Sequence, residues 1–169
     1  MTQRLAFVGG GRMGEALIAG AVRGSVAPSD VVVVDREQRV NTTADVIQRL
    51  GATIVFTRTR HGADRLAKQL GRSGVTAEPI HGGRSQGQRD RALASFKKGQ
   101  ASALIATDVA ARGIHVNGVN AVVHYDPPAE DATYLHRSGR TARAGAMGTV
   151  VSLIDQSQKK DALKMQRGI

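Results

Sequence analysis

Cysteine is absent from the 169 residues, which excludes disulfides, thiol chemistry and the thiolate ligands of structural zinc. A chain built this way suits a reducing compartment, so a cytoplasmic protein without a metal site is expected. Tryptophan is absent too, and the aromatics are only Phe7, Phe56, Phe96, Tyr125 and Tyr134. Base stacking therefore cannot dominate any affinity for nucleic acid, and such binding has to be led by phosphates. No apolar run reaches the roughly eighteen residues that a membrane span needs, so no membrane association is expected. The opening MTQRLAFVGGG runs from a short apolar stretch into glycines instead of a cleavage site, which argues against a secretory signal. Nothing in the sequence points to a specific protein partner.

Acidic residues are the scarce charge. There are 24 Lys and Arg against 14 Asp and Glu, for a net charge of +10. Residues 1–50 hold six basic and five acidic side chains, whereas residues 51–169 hold eighteen and nine. The excess sits almost entirely in the second part, which fits a surface facing a polyanion, although a solvated arginine-rich surface gives the same count.

Short β-branched runs alternate with helical stretches along the whole chain. Strands are expected near 4–8, 31–35, 53–57, 77–80, 103–106, 120–124 and 148–153, and helices near 12–24, 41–50, 61–73, 86–98, 131–140 and 156–166. This alternation predicts an α/β fold: a single three-layer, doubly wound domain with a mainly parallel sheet. Uninterrupted apolar strands such as Val31–Val34 suit a sheet covered on both faces. Neither an internal repeat nor a low-complexity linker divides the chain.

Gly9, Gly10, Gly11, Arg12, Met13 and Gly14 follow the first expected strand and open a helix, satisfying G-x-G-x-x-G in the context that gives it meaning. Gly9 allows the turn, Gly11 lets a pyrophosphate approach the backbone, and Gly14 lets helix and strand pack closely. The helix N-terminus then offers free N–H groups to phosphate. Asp35 ends the second expected strand, where an acid bonds a ribose 2′-hydroxyl, and Arg36 beside it suits a 2′-phosphate. Weak binding of NAD or NADP is expected, with the choice between them open. The segment LAFVGGGRMGEALIAG resembles the start of pyrroline-5-carboxylate reductase, over residues 4–35. What such reductases use beyond their first βαβ unit has no counterpart here.

From about residue 53 onward a second set of motifs appears in order. TIVFTRT spans Thr53 to Thr59, IHGGRSQGQR contains Gln86 and Arg89, and LIATDVAARGI and YLHRSGRTARAG follow. Together they resemble motifs IV, IVa, V and VI of the second RecA-like domain of DEAD-box RNA helicases. The resemblance implies that Arg58, Gly82, Gly83, Arg89, Thr107 and Asp108 grip an RNA backbone. It also implies that Arg140 and Arg143, within H-R-x-G-R-x-x-R, match arginine fingers that act on a γ-phosphate. A helix over 131–140 that continues through motif VI places these two arginines one turn apart on one face. One position departs from the family: Arg112-Gly113-Ile114-His115 has a histidine where an acid near the ribose is usual.

The phosphate loop, the Asp-Glu-Ala-Asp box and the Ser-Ala-Thr motif of a first RecA-like domain are all missing. On the sequence alone the chain therefore reads as two nucleotide-handling fragments, residues 1–35 and 36–169, joined in one Rossmann-like/RecA-like hybrid. The expectation is an engineered chimera that is not an enzyme and keeps weak NAD or NADP binding at the glycine loop. Its arginine fingers would be vestigial. The alternative is a phosphate-led RNA-binding module without sequence specificity, derived from a helicase C-terminal domain.

Overall fold

The computed structural model describes residues 3–7, 38–112, 116, 118–141 and 148–158. The strands TIVF, ALIA and AVVH are apolar on both faces and bury every residue, the signature of central strands in a parallel sheet covered on two sides. They are β2 (Thr53–Phe56), β4 (Ala103–Ala106) and β5 (Ala121–His124). With β1 (Gln3–Phe7), β3 (Ala77–Ile80) and β6 (Gly148–Ser152) they form one six-stranded sheet in the order β1-β6-β5-β2-β4-β3. Every pairing is parallel. Pro79 lies in β3, which among the described residues pairs only with β4; an edge strand can carry a residue that has no N–H to donate.

Helices pack on both faces. In α1 (Arg39–Leu50) the residues Thr43, Ala44, Val46 and Ile47 are buried, and in α2 (Arg60–Arg72) Ala63, Leu66 and Leu70. These helices share a core with Val55, Ala103, Ile105, Ala121, Val123 and Val151. The alternate residues of the same strands, Ile54, Phe56, Leu104, Ala106, Val122 and Val150, face Phe96 of α3 (Gln86–Lys97) and Tyr134 of α5 (Asp131–Ser138). The period of two along each strand is what sends neighbouring residues into the two cores. Local chemistry sets the helix starts. Thr59 caps α2 by accepting the Gly62 N–H at 3.0 Å, and Ser85 and Gln88 form a reciprocal capping box on α3. At the end of α1, Gly51 adopts φ 78° and returns its N–H to Ile47, a conformation that favours glycine.

The expected parallel α/β architecture is thus present, with three differences. A four-residue helix, α4 (Asp108–Ala111), follows β4 where none is expected. α5 stops at Ser138, two residues short, because Thr141 pairs with Val119 and donates its hydroxyl to the Val119 carbonyl, drawing the chain out of the helix. Gln156–Gln158, where the helix expected over 156–166 would begin, form a 3₁₀ turn, and the rest of that range lies outside the described residues. The expected elements at 12–24 and 31–35 lie outside the described residues.

Candidate functional site

A parallel sheet delivers every strand-end loop to one edge, the edge at which α/β proteins bind ligands. Here that edge carries Thr57–Thr59 after β2, His81–Arg84 after β3, Thr107–Asp108 after β4, and Tyr125–Asp126 after β5. The positions expected to grip RNA therefore follow three adjacent strands, β2, β4 and β3, with Arg89 farther on in α3. Arg58 is exposed, and its backbone N–H donates to Asp126 at 2.8 Å, tying the β2 loop to the β5 loop. Gly82 and Gly83 are exposed, whereas His81 before them is buried. Arg89 lies in the first turns of α3, with Nη1 donating to Gln86 at 3.4 Å. Thr107 is buried at the start of α4, and its N–H reaches the Ile80 carbonyl at 3.4 Å.

Asp108 has a different partner from the one its motif suggests. Arg137 of α5 holds its carboxylate from two sides, Nε to Oδ1 at 2.6 Å and Nη2 to Oδ2 at 2.7 Å. The same guanidinium donates to the Asp126 carbonyl at 2.8 Å and lies 5.0 Å from the centre of the Phe56 ring. One arginine thus joins the ends of β2, β4 and β5. The bidentate geometry is the strong form of a carboxylate–guanidinium pair. Sequence reasoning treated Arg137 only as one letter of motif VI, and its partner lies 29 residues away.

Beside this bridge is a cleft of about 260 Å³ lined by Phe56, Asp108, Ala111, Arg112, Thr133, His136, Arg137 and Arg140. Arg140 donates to the Ala111 carbonyl at 3.2 Å, placing its guanidinium against α4. It stands beyond the end of α5, so the expectation that motif VI continues as one helix through this position is corrected. Arg143 lies outside the described residues. Under the cleft Phe56, His124 and Tyr134 stack edge to face, with ring centroids 6.2 and 4.8 Å apart. His124 is fully buried, and its Nδ1 pairs with the Ser152 hydroxyl at 2.9 Å. Burial, and then the nearby Arg137 charge, lower its pKa to about 3, so the ring is neutral at physiological pH.

The glycine-loop positions Gly9, Gly10, Gly11, Arg12, Met13 and Gly14, together with Asp35 and Arg36, lie outside the described residues. β1, which leads into that loop, runs parallel to β6 from Gln3 opposite Gly148 to Phe7 opposite Ser152. Among the described residues, no group of three or more His, Asp or Glu side chains is placed to hold a metal ion, and no helix is long and apolar enough to cross a membrane.

Residues 38–145 match the helicase conserved C-terminal domain. Over 115 residues the chain is 49% identical to the mitochondrial DEAD-box ATP-dependent RNA helicase 9 of Arabidopsis thaliana, covering 68% of this chain and 18% of that protein. It is 35% identical to the DEAD-box ATP-dependent RNA helicase RhpA of Helicobacter pylori, an alignment covering 94% of this chain and 34% of the relative. The chain thus spans about a third or less of the length of these curated relatives. Among solved structures, Escherichia coli DEAD-box protein SrmB, bound to regulator of ribonuclease activity A, superposes with a TM-score of 0.75 at 37% identity, covering 81% of this chain and 82% of that one.

These matches support the helicase reading and lend none to a reductase parent or an engineered join. They also overturn the expectation of a chimera that is not an enzyme: the relatives are ATP-dependent RNA helicases, of which this chain matches the C-terminal domain. By motif order, fold and sequence match alike, the chain belongs to the helicase conserved C-terminal domain family, among the DEAD-box RNA helicases.

Proposed function

We propose that this chain is the C-terminal RecA-like half of an ATP-dependent RNA helicase, working against a first RecA-like domain that supplies the nucleotide's phosphate loop and metal site. The observation that carries the reading is the shared strand-end edge, where the loops of three adjacent strands line up beside a cleft holding Arg140. Arg58, Gly82, Arg89 and Thr107 then contact the RNA backbone, with Gly83 shaping the turn beside them. The carboxylate of Asp108 carries the wrong charge for a phosphate, so its part is to hold Arg137 and thereby the geometry of the edge. Arg140, with Arg143, adds positive charge where a nucleotide's terminal phosphate accumulates negative charge in the transition state. The low aromatic content and the basic excess of residues 51–169 favour a backbone-led, sequence-blind grip.

The test is a titration of single-stranded RNA of several sequences at rising salt. Expected are dissociation constants on the order of 10⁻⁴–10⁻⁶ M, a steep fall with salt, and an Arg89→Ala variant weakened equally for every sequence. Undetectable binding at low salt, or strong preference for one sequence, counts against the reading.

A second reading concerns the glycine loop. β1 is parallel to β6, so the chain leaves β1 at the same edge as the helicase motifs. This favours weak capture of NAD or NADP through the adenosine-diphosphate end, with Gly11 giving the pyrophosphate its approach and Asp35 or Arg36 meeting the ribose.

A further inference from the structure

The turn after β3 has a feature that its motif does not account for. His81 is buried, and its Nδ1 accepts the Gly83 N–H at 3.2 Å. A neutral imidazole has one donor and one acceptor, so Nε2 carries the proton and donates it to Asp64 Oδ1, 3.1 Å away on α2. The other tautomer sets two N–H groups face to face at Gly83 and aims a lone pair at a carboxylate. Asp64 accepts only, and so excludes it.

Asp64 also holds the far side of the turn. The Arg84 guanidinium donates to the same Oδ1 at 2.5 Å, and the Arg84 N–H closes the turn on the His81 carbonyl at 3.0 Å. Burial works to raise the Asp64 carboxyl, but the bonds from Arg84 and His81 outweigh it and leave it below the ordinary carboxylate value. Asp64 is therefore the acceptor that this turn is built around. The glycines fit the scheme. A Cβ at Gly83 would sit 3.1 Å from His81 Nδ1, so the ring would have to shift by a few tenths of an ångström. Gly82 is exposed, and its N–H makes no hydrogen bond within the described residues. The Arg60 guanidinium approaches to 3.5 Å of where a Gly82 Cβ would be.

We infer that Asp64 is a positioning residue for phosphate binding: by selecting the His81 tautomer it turns the Gly83 amide inward and leaves the Gly82 amide, with Arg60 beside it, as the donor pair for a backbone phosphate. Of two adjacent amides only one is on offer, and its partner cation is Arg60, a residue outside the motif positions. The inference rests on the RNA reading above, and the chemical class of ligand is a phosphodiester.

The test uses the full chain and a short single-stranded oligouridine. Nitrogen-15 NMR of the histidine rings reads the His81 tautomer, and a binding titration at low salt reads affinity. In the unaltered chain His81 should be in the Nε2–H form. Asp64→Ala should lose that uniform tautomer and raise Kd about tenfold, the worth of one hydrogen bond to a charged group. Gly83→Ala, which leaves Asp64 in place, should weaken binding similarly, and it gives the answer if Asp64→Ala fails to fold. Arg60→Ala should weaken binding without changing the tautomer. A shifted tautomer with unchanged affinity, or an Nδ1–H ring in the unaltered chain, overturns the inference alone. Absence of RNA binding by the unaltered chain overturns the RNA reading, and this inference with it.

Discussion

The Arg137–Asp108 bridge can be tested by removing either side. The Arg137 side chain is only 5% exposed and that of Asp108 is 36% exposed. In Asp108→Ala the guanidinium keeps just the Asp126 carbonyl and the face of Phe56, neither of which carries a full negative charge. Removing one partner of a fully buried pair costs about 3–5 kcal/mol, and water reaching the carboxylate end here brings the expected loss to about 2–3 kcal/mol. For a chain of this length that is a fall in Tm of roughly 5–10 °C. Arg137→Met keeps much of the side-chain stem over Phe56 but leaves Asp108 at a partly solvated position, so it should cost less. Urea unfolding followed by circular dichroism gives both values and that of the double variant. If the bridge is one unit, the double variant should lose at least about 1 kcal/mol less than the sum of the singles. Losses that add to within about 0.5 kcal/mol would refute the coupling on which the shape of the strand-end edge depends.

Three other outcomes are expected. His124 has a folded pKa of about 3 against an ordinary 6.5, so the unfolded chain binds the extra proton and stability should fall as pH drops from 6.5 toward 3. His124→Phe should flatten the part of that fall that lies above pH 4, and an unchanged slope of urea midpoint against pH there would contradict the burial argument. With a first RecA-like domain present, Arg140→Ala should lower RNA-stimulated ATP hydrolysis by on the order of 10³-fold or more, the scale of an arginine finger, while leaving RNA affinity near its starting value; phosphate-release kinetics beside a binding titration separate the two. For the glycine loop, Gly11→Val should abolish calorimetrically detected NAD or NADP binding, and equal heats from both chains would mean that the loop takes no pyrophosphate.

Much of the fold was legible because its signals are local. A short, largely apolar run such as TIVF or AVVH states that it is a covered strand. Several motif positions were legible for a related reason: Arg58, Gly82, Gly83, Thr107 and Asp108 lie just after strands, and parallel strands leave their loops on one edge. Other features depend on which strand lies beside which, and no local pattern carries that. The order β5-β2-β4-β3 brings Asp108 under Arg137 from 29 residues away and Asp64 under His81 from 17 residues away. On the other side of β5, Thr141 is set against Val119, so that the helix ends before Arg140, although helical periodicity alone continues through it. The one-letter string determined the kind of most of the described elements, but not that α4 forms or where α5 ends. Only the packed sheet decided which charges meet at the strand ends, because an ion pair or a ring tautomer is set by the group across the gap, and that group comes from another strand's neighbourhood.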